Sequence, residues 1–263
     1  MKIVTLIENT TADESLACEH GLSLYIEACG RRILFDTGAS GGFADNAEKL
    51  GVDLTQVDFA VLSHGHSDHG GGLHRFLECN RTAPIYMSRH GFLPLFNALG
   101  DYIGLDTTLK MSDRIIFTDG CMSLDRGLTL YSCNNDRLQY PLDTASLQME
   151  VDGVRQPEDF RHEQYLLIEE GGKRICISGC SHKGILNIAG WFKPDVLVGG
   201  FHFFKLATEG PDARILDRAA KVLKAQPAVY YTGHCTGIAQ YHYLKERMAD
   251  QLHAIQTGTV ITL

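Results

Sequence analysis

The sequence predicts an α/β chain in which two mixed β-sheets pack face to face and helices cover their outer sides, an αββα sandwich. Short apolar strand-like runs alternate with helical patterns from end to end. Two strand hairpins of the same plan, at 22–36 and 164–178, each open a run of further strands and helices. With 263 residues, 44% of them hydrophobic and 21% charged, the chain can bury a substantial core.

The opening "MKIVTLI" reads as a strand and is too short for a secretory leader. "LSLYIEA" (22–28) and "RRILFD" (31–36) form the first hairpin around Gly30, and "FADNAEKLG" (43–51) is a helix stopped by Gly51. "VDFAVLS" (57–63) is a buried strand, and "GLHRFLE" (72–78) is the next helix. From about 88 to 160 the pattern loosens. "RIIFT" (114–118) and "LTLYS" (128–132) are expected as hairpin-like strands, followed by a polar stretch with "NND", Pro141 and Pro157. This stretch is expected to cap a cleft within one domain spanning 1–263. "QYLLIEE" (164–170) and "KRICISG" (173–179) make the second hairpin. A helix at 184–192, the strand "DVLVGG" (195–200), a helix at about 211–225, the strand "AVYYTG" (228–233), a helix at 237–249 and a terminal strand "TVITL" complete the chain.

A net charge of -8 argues against a nucleic-acid partner, which would want a basic face, but leaves room for a small anionic substrate in a local basic pocket. No stretch approaches the roughly 18–20 apolar residues of a membrane span. Eight cysteines in a long chain without an export signal are expected to be reduced, and the cytoplasm is the expected location. The oligomeric state is not readable.

The densest chemistry is "SHGHSDHGGG" (63–72), three histidines and an aspartate between His64 and His69. It follows a buried strand directly, and α/β folds place their sites at the C-terminal ends of strands. His64 and His66, two residues apart, can chelate one ion; Asp68 and His69, opening the next helix, can face a second. Nitrogen donors with one carboxylate suit zinc, with manganese or iron as alternatives, far better than magnesium or calcium.

"HGHSDH" matches the HxHxDH signature, and on it the chain resembles the metallo-β-lactamase-fold superfamily. "LFDTG" (34–38) is similar to that fold's upstream strand end, whose aspartate, here Asp36, supports the metal loop. "YTGHCTG" (231–237) is similar to its late strand end bearing the final histidine, here His234. The resemblance implies a dinuclear site with two divalent ions: His64, His66 and a mid-chain histidine on one, Asp68, His69 and His234 on the other. Where many members carry a bridging aspartate, this chain reads "ISGCSHKGI" (177–185). Cys180 therefore stands at the bridging position, or packs as a small hydrophobe. The mid-chain histidine is His182 or His162. The glycine-flanked loop favours His182, because His162 lies among Glu158, Asp159, Arg161 and Glu163.

"EHGLS", "HEQ", "GGFH" and "GHCTG" resemble one branch in particular, which holds the dihydropterin–ribofuranosylaminobenzene phosphate synthases. The resemblance gives His202 a substrate-facing or acid role, and extends weaker versions of that role to Glu19 and His20. His74, His90, His242 and His253 are read as ordinary polar residues; Arg89, His90 and Lys183 are read as surface charge, or as a phosphate contact. Such a site implies a hydrolase in which metal-activated hydroxide attacks an ester, lactone, amide or phosphodiester and Asp68 takes up its proton. Three alternatives are a pyrophosphate-releasing transferase like the synthases, a di-iron redox enzyme, and a non-catalytic metal-binding module. Substrate choice is expected from the 88–160 stretch, with Phe92, Phe96, Tyr102, Arg137 and Tyr140 as its notable side chains.

Overall fold

The computed structural model describes residues 1–144 and 146–263. Its first sheet runs, edge to edge, Val260–Thr262, Lys2–Ile7, Ser23–Ala28, Arg31–Phe35, Phe59–Val61, Ile85–Ser88 and Ile115–Thr118. Its second runs Leu252–Ala254, Val229–Thr232, Val196–Val198, Lys173–Ile177, Tyr165–Glu170, Leu128–Tyr131 and Cys121–Asp125. Both predicted hairpins form in the same way: Leu24 faces Phe35 in the first and Leu166 faces Ile177 in the second. In each case the hairpin's second strand then pairs in parallel with the following strand.

Three apolar layers give the sandwich its order. Phe43 and Phe76, from helices Gly42–Lys49 and Leu73–Cys79, pack with Leu6, Leu34 and Leu62 outside the first sheet. Ile3, Leu24, Val61, Leu166, Ile177 and Val198 fill the space between the sheets. Ile188, Leu216 and Leu244, from helices Ile185–Phe192, Gly210–Lys224 and Ile238–Met248, pack with Tyr165, Leu197 and Tyr230 outside the second. A strand buried on both faces cannot alternate apolar and polar residues, and Lys2–Ile7 is buried at five successive positions.

The 88–160 stretch departs from its expected layout. Ile115–Thr118 and Leu128–Tyr131 do not pair with each other. The former adds in parallel to Ile85–Ser88 at the edge of the first sheet, and the latter pairs with Tyr165–Glu170 in the second. The chain thus crosses from one sheet to the other inside the stretch. The small third sheet is made by Leu95–Phe96, Gln148–Val151 and Val154–Pro157. Among the described residues no helix is long and apolar enough to cross a membrane.

Candidate metal centre

The loop after Phe59–Val61 is organised by one buried carboxylate. Asp36 accepts the Ser63 N–H at 2.7 Å, the Ser63 hydroxyl at 2.6 Å and the His69 Nδ1–H at 2.7 Å. Because the Ser63 hydroxyl donates to Asp36, it accepts from Nδ1–H of His64, 2.8 Å away. Both rings therefore carry their proton on Nδ1 and turn the Nε2 lone pair inward. His66 uses the opposite nitrogen: its Nε2 lies 3.1 Å and 3.2 Å from the two Glu158 oxygens, which leaves Nδ1 as its candidate donor atom. The glycines of the loop serve close approach. A Cβ on Gly65 would sit 2.4 Å from the Gly91 carbonyl, and one on Gly71 would sit 2.2 Å from the Ala39 carbonyl.

The second half of the centre comes from strand ends of the other sheet. Beyond Lys173–Ile177, Cys180 places its Sγ 3.1 Å from His69 Nε2. Beyond Val229–Thr232, His234 places its Nε2 3.1 Å from that same His69 nitrogen and 3.3 Å from Asp68 Oδ2. The His234 Nδ1–H donates to Asn9 Oδ1 at 2.8 Å, so its Nε2 is also a lone pair. His182 sets its Nε2 3.3 Å from His64 Nε2 and leaves its buried Nδ1 without a hydrogen-bond partner. Asp36, Ser181, His202 and His234 all adopt left-handed backbone at strand ends around this centre, with φ between 49° and 61°. Non-glycine residues hold such conformations only where surrounding contacts enforce them.

The buried carboxylates Glu8 and Glu163 supply such contacts. Glu8 accepts the His234 N–H at 2.5 Å together with the Thr10 N–H and hydroxyl at 2.8 Å and 2.7 Å. Glu163 accepts the N–H groups of His182 and Lys183 at 2.7 Å and 3.0 Å and the Tyr165 hydroxyl at 2.5 Å.

This donor set fits a divalent cation. The His69 and His234 lone pairs, facing each other at 3.1 Å, repel unless a positive charge lies between them, and His182 Nε2 closes on His64 Nε2 at 3.3 Å. The edge of a tetrahedron with Zn–N of about 2.0–2.1 Å is about 3.3 Å, close to those separations. The ligand atoms of Asp68, His69, Cys180 and His234 lie within 4.8 Å of one another, as do those of His64, His66 and His182. Burial, reinforced by the neighbouring imidazoles, holds His64 and His182 well below the ordinary histidine pKa, keeping both neutral as metal binding requires. Burial also raises the Cys180 thiol well above its usual value, so only a bound cation would make it a thiolate.

All seven sequence-derived ligand candidates thus converge. His202 lies beside them, its ring centroid 4.4 Å from that of His182. It lines a cleft of about 330 Å³ with His20, Asp68, His182, Phe204 and His234. His20 stands at the mouth with Nε2 3.4 Å from Asp68 Oδ2.

Several expectations are corrected. Glu19 does not face the cleft; its Oε1 accepts the N–H groups of Ala39 and Ser40 at 2.9 Å and 3.0 Å. Lys183 is buried, and its Nζ donates to the Ser132 carbonyl at 2.5 Å and to Asn134 Oδ1 at 2.6 Å. Arg89 keeps its surface reading, exposed and paired with Asp119 at 2.5 Å. His162 is fully buried: its Nδ1 accepts the Gly65 N–H at 2.9 Å and its Nε2–H donates to Glu158 at 2.5 Å. Both of its nitrogens are thereby engaged, and His182 is the histidine that meets His64. The 88–160 stretch reaches the cleft through Asn97, Ile103 and Leu147. Phe92 is buried, Phe96 lies under Arg155 at 3.7 Å, and Tyr140 lies under Arg218 at 5.0 Å.

Comparison with known proteins agrees with this geometry. Residues 17–141 match the metallo-beta-lactamase superfamily. An uncharacterised protein of Methanocaldococcus jannaschii is 28% identical over 89% of this chain and 91% of its own length. The 7,8-dihydropterin-6-methyl-4-(beta-D-ribofuranosyl)-aminobenzene-5'-phosphate synthase of the same organism is 27% identical over 99% of this chain and 96% of its own. A crystal structure described as a metal-dependent hydrolase of the beta-lactamase superfamily superposes with a TM-score of 0.85 at 25% identity, covering 100% of this chain and 99% of that one. The fold of these proteins implies divalent metal binding, and residues 17–141 of this chain match their superfamily.

Proposed function

We propose that the protein is a hydrolase with two divalent ions, most simply zinc, acting on an ester, lactone, amide or phosphodiester bond of a small molecule. The observation that carries this reading is the convergence of imidazole nitrogens on two adjacent points at the floor of an open cleft, with the His69 and His234 lone pairs facing each other. His64, His66 and His182 would hold one ion and Asp68, His69, Cys180 and His234 the other. Divalent ions there would supply Lewis acidity toward water and toward the scissile carbonyl or phosphoryl group.

The chain's own residues would do the rest. The Asp68 carboxylate is 23% exposed to the cleft. A cation held with His69 and His234 would keep it ionised, able to orient a nucleophilic water and accept its proton. Burial, with help from His66 and His234, pushes His202 down to about 4, so at neutral pH it acts as a hydrogen-bonding imidazole rather than an acid. A cleft of about 330 Å³ suits a small molecule, and the net charge of -8 fits a cytoplasmic protein with neither nucleic-acid nor membrane partners.

The test is hydrolysis of a panel of model phosphodiesters, lactones and thioesters before and after chelation. Activity that disappears with the chelator and returns with zinc supports the reading; activity indifferent to chelation contradicts it. A second reading, pyrophosphate-releasing transfer, draws on the relative named as a synthase, which aligns with 99% of this chain. Pyrophosphate release from a phosphoribosylated aromatic amine and a pterin diphosphate, with no hydrolysis of the panel, would favour it.

A further inference from the structure

The segment 158–162 sends three alternate side chains to one half of the centre. Phe160, itself in left-handed backbone with φ of 56°, stacks on the His182 ring at 4.6 Å and 9°. His162 accepts the Gly65 N–H through Nδ1 at 2.9 Å and donates from Nε2 to Glu158 at 2.5 Å. Glu158, 1% exposed, takes that proton bond and also the Nε2–H of His66 at 3.1 Å. These contacts close a ring: Gly65 to His162, His162 to Glu158, Glu158 to His66, and His66 back to Gly65 through the chain.

The ring dictates protonation. A backbone N–H can only donate, so His162 Nδ1 is unprotonated and its proton sits on Nε2, facing the carboxylate. The carboxylate can only accept, so His66 also carries its proton on Nε2 and offers Nδ1 to the centre. A carboxylate behind a ligating histidine fixes its tautomer and ring plane. Asp36 does this for His69, while no other carboxylate lies behind His66 among the described contacts.

We propose that Glu158 is a positioning residue of the metal centre: joined to His162, it fixes the ring and tautomer of His66 for the ion held with His64 and His182. This rests on the metal-centre reading above. The charge of Glu158 is buried, and among the described residues its polar side-chain partners are the two imidazoles, so the arrangement costs desolvation that simple packing would not require.

The test is titration of the metal-free full chain with cobalt(II), following the visible ligand-field absorption, with zinc affinity measured by chelator competition. E158Q keeps the shape but can accept from only one imidazole, and its amide donates toward the other. The expected result is a loss of about 10–100-fold in affinity for one of two ions, with a shifted cobalt band. H162Q, which leaves the carboxylate in place, is expected to lose less, and the double variant no more than E158Q alone. If wild type takes up no cobalt, the metal centre itself is overturned and Glu158 with it. If wild type binds and E158Q binds as tightly with the same band, Glu158 alone is overturned, even where E158Q melts at a lower temperature. Should E158Q fail to fold, H162Q decides: unchanged affinity and band overturn the proposal, and a loss with a shifted band upholds it.

Discussion

In the 64–69 loop the histidines are gripped by their rings, whereas in the late loops His182 and His234 are also gripped by their backbone. Asp36 reaches His69 directly and His64 through Ser63, so a side chain orients side chains. Glu163 and Glu8 instead accept the main-chain N–H groups of His182 and His234. The physical reason lies in what each loop can do for itself. His66 leads into the helix Ser67–Gly70, whose own hydrogen bonds fix the backbone of Asp68 and His69. The loops at Ser181 and His234 bend through left-handed conformations and have N–H groups to satisfy, which buried carboxylates do. A side-chain clamp tunes metal affinity, and a backbone clamp holds the fold of the site.

That contrast predicts which variants act on stability and which on metal. The largest effect on folding belongs to Glu163→Ala, which leaves two buried N–H groups and the Tyr165 hydroxyl without their acceptor. At about 1–3 kcal/mol per orphaned group, urea unfolding of the metal-free protein should show a loss of about 3 kcal/mol or more. A loss below about 1 kcal/mol would erase the distinction between the two kinds of clamp.

Asp36→Asn should do the reverse. One amide oxygen can still accept the Ser63 N–H, but the amide nitrogen then faces the donors of Ser63 and His69. Metal affinity should fall by about 10–100-fold in a chelator competition, with the protein still folded. A variant that unfolds while keeping wild-type affinity would invert the comparison.

A smaller effect should appear with pH. Burial pushes the Glu158 carboxyl up, but His66 and His162 outweigh it and bring its pKa down to about 2 from an ordinary 4.5. A carboxylate depressed in the folded state stabilises fully above its unfolded pKa and loses that contribution as the pH falls. In the metal-free protein the Glu158 share of stability should therefore be complete above about 4.5 and fade toward about 2. Acid unfolding curves of wild type and E158Q should converge at the low end of that window; a constant gap would show that the ionised form is not what is stabilised. Smallest of all is Ser63→Ala, which cuts the relay from Asp36 to His64 and should cost about 1 kcal/mol by thermal unfolding. No change would mean that His64 is held by packing alone.

How much of this was legible in the sequence follows from the same contrast. The cluster from His64 to His69 is contiguous, so neighbours in sequence are neighbours in space, and the buried strand before it is plain. Cys180, His182 and His234 stand far apart in the chain, and they were reached only through strings resembling a known family. The roles of Glu158 and Glu163 are hidden in "EDFRHEQ", where a run of charges reads as a solvated loop, and His162 and Lys183 stand out as residues but not as buried supports. In three dimensions each of the four is buried. Composition cannot separate a surface carboxylate from one buried against donors brought from elsewhere. The strands expected at 114–118 and 128–132 form but do not pair as a hairpin, for a related reason: propensity gives strand character but not the sheet, and the chain changes sheets between them.

The most direct test of the central claim is elemental analysis of protein purified without chelator, run beside His182→Ala and His234→Ala. Two equivalents of a divalent metal in wild type, falling toward one in each variant, is the predicted result. One equivalent lost in neither variant, or no metal in wild type even after reconstitution, would contradict a two-ion centre built from these loops.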